Sequence, residues 1–270
     1  MRNEVWRRSL MVAALIPAAA VAQAQSLERR VAAAPDGEVR LTFAARPGVF
    51  GDGEHVIAWD CESGRCRTQR VEGHRRGGWN DRRSACEPGQ VRVALSIRGS
   101  AVTRVRVYVG GAWSPGPDVT DLDTVGAAEA ARYLVALARR AAGDPGKDAV
   151  FAAMLADSVA IWPELLALAR DAAVPRDTRR AAVFWVGQAA EDAATVGLDE
   201  LAGTDTVDRE VRGAAVFALS QRPRDEGVPA LLRIARTHRD PWIRRKAIFW
   251  LGQSEDPRAL AFFEEVLLRQ

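Results

Sequence analysis

From Gly37 to Trp113, apolar and polar residues alternate with the period of two expected of half-buried strands. "GEVRLTFAAR" sets Val39, Leu41 and Phe43 on one face. "QVRVALSIRGSAVTRVRVYVGG" repeats the pattern twice, with Val91, Val93, Leu95 and Ile97, then Val102, Val105, Val107 and Val109. The "RGSA" between these runs is a turn signal, so the two runs predict a hairpin. "HVIAWDC" and "CRTQRVE" predict a second one. Residues 26–113 are thus expected to form a small antiparallel β domain. "GAWSPGPDVTDLDT" is rich in Pro and Gly and then acidic, and residues 114–124 are expected to be a linker leading into a helix start. Beyond it the period changes to about 3.6. "VGAAEAARYLVALARRAAG" predicts a helix with Arg139 and Arg140 in its last turn and Gly143 past its end.

The helical part repeats itself. Phe151, Phe184, Phe217 and Phe249 are 33, 33 and 32 residues apart. The same register holds Val150, Val183, Val216 and Ile248, then Gln188, Gln221 and Gln253, and also Arg179, Arg212 and Arg244. A second helix recurs as "RYLVALARRAA", "WPELLALARDAA", "VPALLRIARTH" and, degenerate, "LAFFEEVLLRQ". Two helices in each unit of some thirty residues predict an α-solenoid, because one helix pair cannot bury its own apolar faces. The expected layout is α+β in two domains, with the solenoid over 125–270 as about four helix pairs plus a terminal helix.

"DREVRGAAVFAL" and "DPWIRRKAIFWL" follow the pattern Val-Arg-x-x-Ala-x-x-x-Leu after an Asp or Pro turn. In this the chain resembles HEAT-repeat proteins of the short, bilin-lyase-like type, over roughly 125–270. The whole layout is similar to exported bacterial HEAT-repeat proteins with an N-terminal β domain. The resemblance implies a fold and leaves function open, since unrelated activities share these repeats. It also implies that the second helix of each pair lines a concave groove, bringing Arg180, Gly187, Gly213, Ser220, Arg245 and Gly252 to it, edged by Phe184, Phe217 and Phe249.

On a helical wheel Ile243, Ala247, Trp250 and Leu251 face the partner helix, while Arg245, Phe249 and Gly252 face away. Two readings of the Phe column stand side by side. It fits an apolar stripe with Arg beside it, suited to a peptide or an acidic segment, with Arg180, Phe184, Phe217, Arg245 and Phe249 as the contact candidates. It equally fits packing between repeats. Arg179, Arg212 and Arg244 fit an Arg–acid ladder, with Asp177 and Glu210 as the expected acids. The terminal helix carries Phe262, Phe263, Val266, Leu267 and Leu268, and it must pack inward or leave an apolar end exposed.

Composition changes this picture little. Hydrophobic content of 48% excludes wholesale disorder, and a formal charge of +3 over 270 residues calls for no nucleic-acid partner. Residues 1–24 read as an export signal: Arg2, Arg7 and Arg8, then "LMVAALIPAAAVA", then Ala22-Gln23-Ala24 with cleavage expected after Ala24. The mature chain is expected in the periplasm or medium, without a transmembrane segment. Export permits disulfides. Cys61–Cys66 is the expected bridge across the Glu-Ser-Gly-Arg turn, with Cys66–Cys86 as its rival. Arg75, Arg76, Trp79, Arg82 and Arg83 make a basic loop within 65–83 that could grip an anionic envelope surface or polymer. No H-E-x-x-H, G-x-S-x-G or P-loop occurs, and no metal or cofactor is expected. A non-enzymatic protein-binding scaffold is the leading expectation, ahead of the surface binder and of a lyase-like enzyme on the HEAT frame.

Overall fold

The structure, a computed structural model, describes residues 26–51, 53, 56–57, 61–62, 65–66, 87–189 and 191–268. The export-signal segment and the basic loop that carries Arg75, Arg76, Trp79, Arg82, Arg83 and Cys86 lie outside these residues.

A short helix, α1 (Leu27–Ala32), precedes the first strand. Six residues are too few to show a helical period, and it is tertiary packing that holds them. Leu27 and Val31 are buried, and the Leu27 N–H donates to Glu129 at 2.7 Å. The strands follow as β1 (Gly37–Phe43), β2 (Phe50–Gly51), β3 (Val56–Ile57), β4 (Cys61–Glu62), β5 (Arg65–Cys66), β6 (Glu87–Pro88), β7 (Val91–Arg98), β8 (Ala101–Val109) and β9 (Val119–Thr124). The main sheet has the order β8-β7-β1-β9. Short sheets β3-β2-β6 and β4-β5 complete the β region, and the β4–β5 register sets Cys61 directly opposite Cys66.

Two expectations need correction. The sheet is mixed, because β9 pairs in parallel with β1 while β1, β7 and β8 pair antiparallel. The second half of the expected linker is that strand. "VTDLDT" is rich in β-branched residues, and it seals the β1 edge by burying Leu122 while its acids stay in solvent.

The strand faces themselves agree with the sequence pattern. Val39, Leu41, Phe43, Val91, Val93, Leu95 and Ile97 are all buried. In β8 the phase slips at a bulge: Ser96 pairs with Arg104 and Ile97 with Val102, leaving Thr103 over. That is why Val102 and Val105, three apart, are both apolar. The hairpin turn places Gly99 at φ 55° and Ser100 at φ 63°, the left-handed pair of a type I′ turn. On the opposite face Arg92 is buried, donating to the carbonyls of Gly110 and Ala112 at 2.8 Å each, and Trp113 lies between Arg92 and Arg40 at 4.7 and 4.8 Å.

Nine helices follow in the described residues: α2 (Ala127–Arg140), α3 (Asp144–Met154), α4 (Trp162–Arg170), α5 (Arg176–Gly187), α6 (Ala193–Gly203), α7 (Arg209–Ser220), α8 (Arg224–Thr237), α9 (Pro241–Gly252) and α10 (Pro257–Leu268). They form four antiparallel pairs and a terminal helix. The even-numbered helices bury one column, Leu134, Leu165, Leu198 and Leu231, and a second, Leu137, Leu168, Leu201 and Ile234. Helix α6 is absent from the recurring phrase because Gly197 and Asp199 break it, yet it keeps both columns. A Cβ on Gly197 would come 2.2 Å from Leu166 Cδ1, so a larger residue there requires that leucine to move.

The sheet does not stand apart from the helices. It packs on α3 through β8, and one contiguous core runs through both. At the other end α10 buries Ala259 and Phe262 but leaves Val266, Leu267 and Leu268 exposed, so the terminal helix does both things its sequence allows.

Asp256 caps α10. It accepts from the Arg258 side chain at 2.7 and 2.9 Å and from the Arg258 N–H at 2.9 Å. These bonds hold its pKa down from 3.8 to about 2. A depressed carboxylate contributes stability that is complete above its unfolded pKa and is lost as pH falls through the folded one. Asp256→Asn is therefore expected to lower the urea midpoint at neutral pH. Its deficit should shrink as pH falls from 3.8 to about 2. A deficit that stays constant over that window would count against the assignment.

Candidate functional site

The odd-numbered helices of the pairs, α3, α5, α7 and α9, pack against one another along the array more closely than the even-numbered ones do. Tighter spacing in one layer curves the array toward that layer, so these four helices line the concave side.

The repeats are joined by an arginine ladder, though its acids are not the expected ones. Arg179 pairs with Asp208 of the next repeat, and Arg212 pairs with Asp240 at 3.2 Å. Asp177 and Glu210 lie elsewhere: Asp177 stands 3.9 Å from Arg180. The true acids precede the helix of the following repeat by one residue, where Asp240 also accepts from the Trp242 N–H at 2.9 Å. The signal was present in "DREVR" and "DPWIR", with Asp four before Arg. Arg244, in the last helix pair among the described residues, donates to the His238 carbonyl at 2.6 Å.

The Phe column divides in two. Phe151 stacks on Trp185 of the next repeat at 5.1 Å, and Phe217 meets Trp250 of the next at 4.9 Å. Both are half-buried. Phe184 has Ala218 at the corresponding place and is 39% exposed; among the described residues no helix pair follows that of Phe249, which is 57% exposed. The residue after each Phe thus runs Ala152, Trp185, Ala218, Trp250, and this alternation decides which rings are covered. Packing between repeats accounts for Phe151 and Phe217, while Phe184 and Phe249 stay exposed.

Arg180 is four residues before Phe184 and Arg245 four before Phe249, so each Arg shares a face with its exposed Phe. Both arginines are exposed. Gly187 and Gly213, expected to line the groove, are buried contacts between repeats. A Cβ on Gly187 would lie 3.0 Å from the Ala218 Cβ, and one on Gly213 would lie 2.6 Å from the Trp242 ring. Trp242 was not among the sequence candidates. It covers Gly213 with Lys246 Nζ 4.6 Å and the Arg209 guanidinium 5.8 Å from its ring centre. Ser220 turns its hydroxyl onto the Phe217 carbonyl at 2.6 Å, and Gly252 is exposed.

Residues 200–270, roughly the last quarter of the chain, match the family model for HEAT repeats. Over these residues the helical array carries HEAT repeats. The helix pairs before this region continue the same buried columns back to Ala127, and the arginine ladder begins at Arg179. No curated protein and no solved structure matches the chain. HEAT repeats commonly mediate protein–protein interaction, and here the concave face of the solenoid carries two Arg–Phe pairs separated by a repeat that lacks the Arg. Among the described residues no helix is long and apolar enough to cross a membrane.

Proposed function

We propose that this chain is an exported, non-enzymatic scaffold whose HEAT solenoid holds a segment of a partner protein in its concave groove. The observation that carries the groove reading is the pairing of each uncovered ring with an exposed guanidinium, Phe184 with Arg180 and Phe249 with Arg245. Neighbouring packed helices lie 8–10 Å apart, so two pairs two repeats apart are separated by roughly 16–20 Å. A partner segment with two acidic residues at that separation, each beside an apolar side chain, satisfies both. Export rests on the basic, apolar and small-residue pattern of residues 1–24.

The test is capture from envelope extract by the mature chain, comparing wild type with Arg180→Glu/Arg245→Glu and with Phe184→Ser/Phe249→Ser. Circular dichroism first establishes that all three fold. One partner retained by wild type and lost from both double variants is the expected outcome. Capture that survives both would remove the groove from consideration.

A further inference from the structure

A cleft of about 390 Å³ opens where the β region meets the helices. Arg46, just after β1, forms one side; Met154 at the end of α3, Ser158 and Val159 in the α3–α4 connection and Trp162 at the start of α4 form another, and Glu191 also lines it. The two sides are tied together. The Arg46 N–H donates to the Leu155 carbonyl at 2.9 Å, the Asp157 N–H to the Ala44 carbonyl at 3.0 Å, and Ala45 pairs with Ala156 as an isolated bridge. The cleft is therefore preformed. Ser158 on its wall holds φ at 55°, an uncommon conformation for a residue with a side chain.

Arg46 stands out among the arginines. It is half-buried, and among the described residues its guanidinium has no hydrogen bond and no ion pair within reach. Other arginines buried as deeply are held by carboxylates or carbonyls, as Arg92 and Arg222 are. Burial lowers the Arg46 pKa from its ordinary value, and the more distant Glu191 opposes that shift. A half-buried guanidinium lining a cleft is suited to a bidentate anion.

We propose that this cleft binds the carboxylate of an apolar acid, forked onto Arg46, with the apolar part against Met154, Val159 and Trp162. Glu191 in the lining repels a second negative charge, so a monoanion is preferred. The acid is either free or the C-terminal residue of a peptide; the chemistry at Arg46 is the same. The site is independent of the groove.

The test follows tryptophan fluorescence and calorimetry of the full chain with N-acetyl-leucine, with a tetrapeptide ending in leucine, and with the C-terminal amide of each. The carboxylates are expected to bind at least about ten-fold more tightly than the amides, and Arg46→Gln to lose about that factor. Glu191→Gln is expected to bind about two- to five-fold more tightly. Arg180→Glu/Arg245→Glu should bind as wild type does. A peptide tighter than N-acetyl-leucine assigns the site to a chain terminus; equal affinity assigns it to the free acid. No binding of either carboxylate, equal binding of acid and amide, or unchanged binding in Arg46→Gln overturns the proposal. Should Arg46→Gln not fold, unchanged affinity in Glu191→Gln overturns it instead.

Discussion

Replacing Trp185 by alanine is expected to destabilise the solenoid by about 3–5 kcal/mol. The indole is 5% exposed, stacks on Phe151 at 5.1 Å with 26° between the ring planes, and meets Phe184 edge-on at 5.0 Å. Truncation would open a cavity between two repeats and uncover Phe151 at the same time. Phe184→Ala is the paired control. That ring is 39% exposed, and the next repeat has Ala218 where Trp185 covers Phe151, so its removal should cost no more than about 1–2 kcal/mol. Urea unfolding followed by circular dichroism measures both. Equal losses would contradict the alternation of covered and uncovered rings, and with it the identity of the exposed pairs.

Arg222→Ala is expected to be comparably damaging, at about 3–5 kcal/mol, because it strips the partner from several buried groups at once. The Arg222 side chain, 2% exposed, lies in the α7–α8 connection. It donates to the carbonyls of Ala189 and Glu191 in the connection one repeat earlier, to Thr195 Oγ1 at 2.7 Å and to Glu226 at 2.9 Å. The Thr195 hydroxyl and Arg222 together hold the Glu226 pKa below its ordinary value. The stability Glu226 contributes is thus present at neutral pH and fades in acid. Arg222→Lys should recover little, since an ammonium cannot serve the two carbonyls and the carboxylate together. A loss below about 1 kcal/mol in Arg222→Ala would mean that water replaces the guanidinium and that the network does not join the repeats.

The candidate site was half legible. Arg180, Phe184, Arg245 and Phe249 could be placed on one face from the helical period alone. Which rings stay open could not, because that depends on what the next repeat sets opposite them. Reading the column after each Phe as Ala, Trp, Ala, Trp would have found it. Trp242 stands in the column of the expected acids, where Asp177 and Glu210 precede it, and its place over Gly213 follows only from the packing of α9 on α7. Arg46 gave no signal at all: it follows β1 in an ordinary connection, and only the approach of the α3–α4 connection encloses it.

The sequence by itself determined the period of each region, hence the strands, the helix pairs and their stacking, because an unburied apolar face has only its neighbours to cover it. It also determined the column of arginines that joins the repeats. Tertiary structure alone decided that "VTDLDT" is an edge strand and that "LERRVA" is a helix. It decided too that sheet and solenoid share one core, and that Gly187 and Gly213 are contacts between repeats. In each case local pattern is weak or ambiguous, and the outcome depends on a surface supplied by residues far away in the chain.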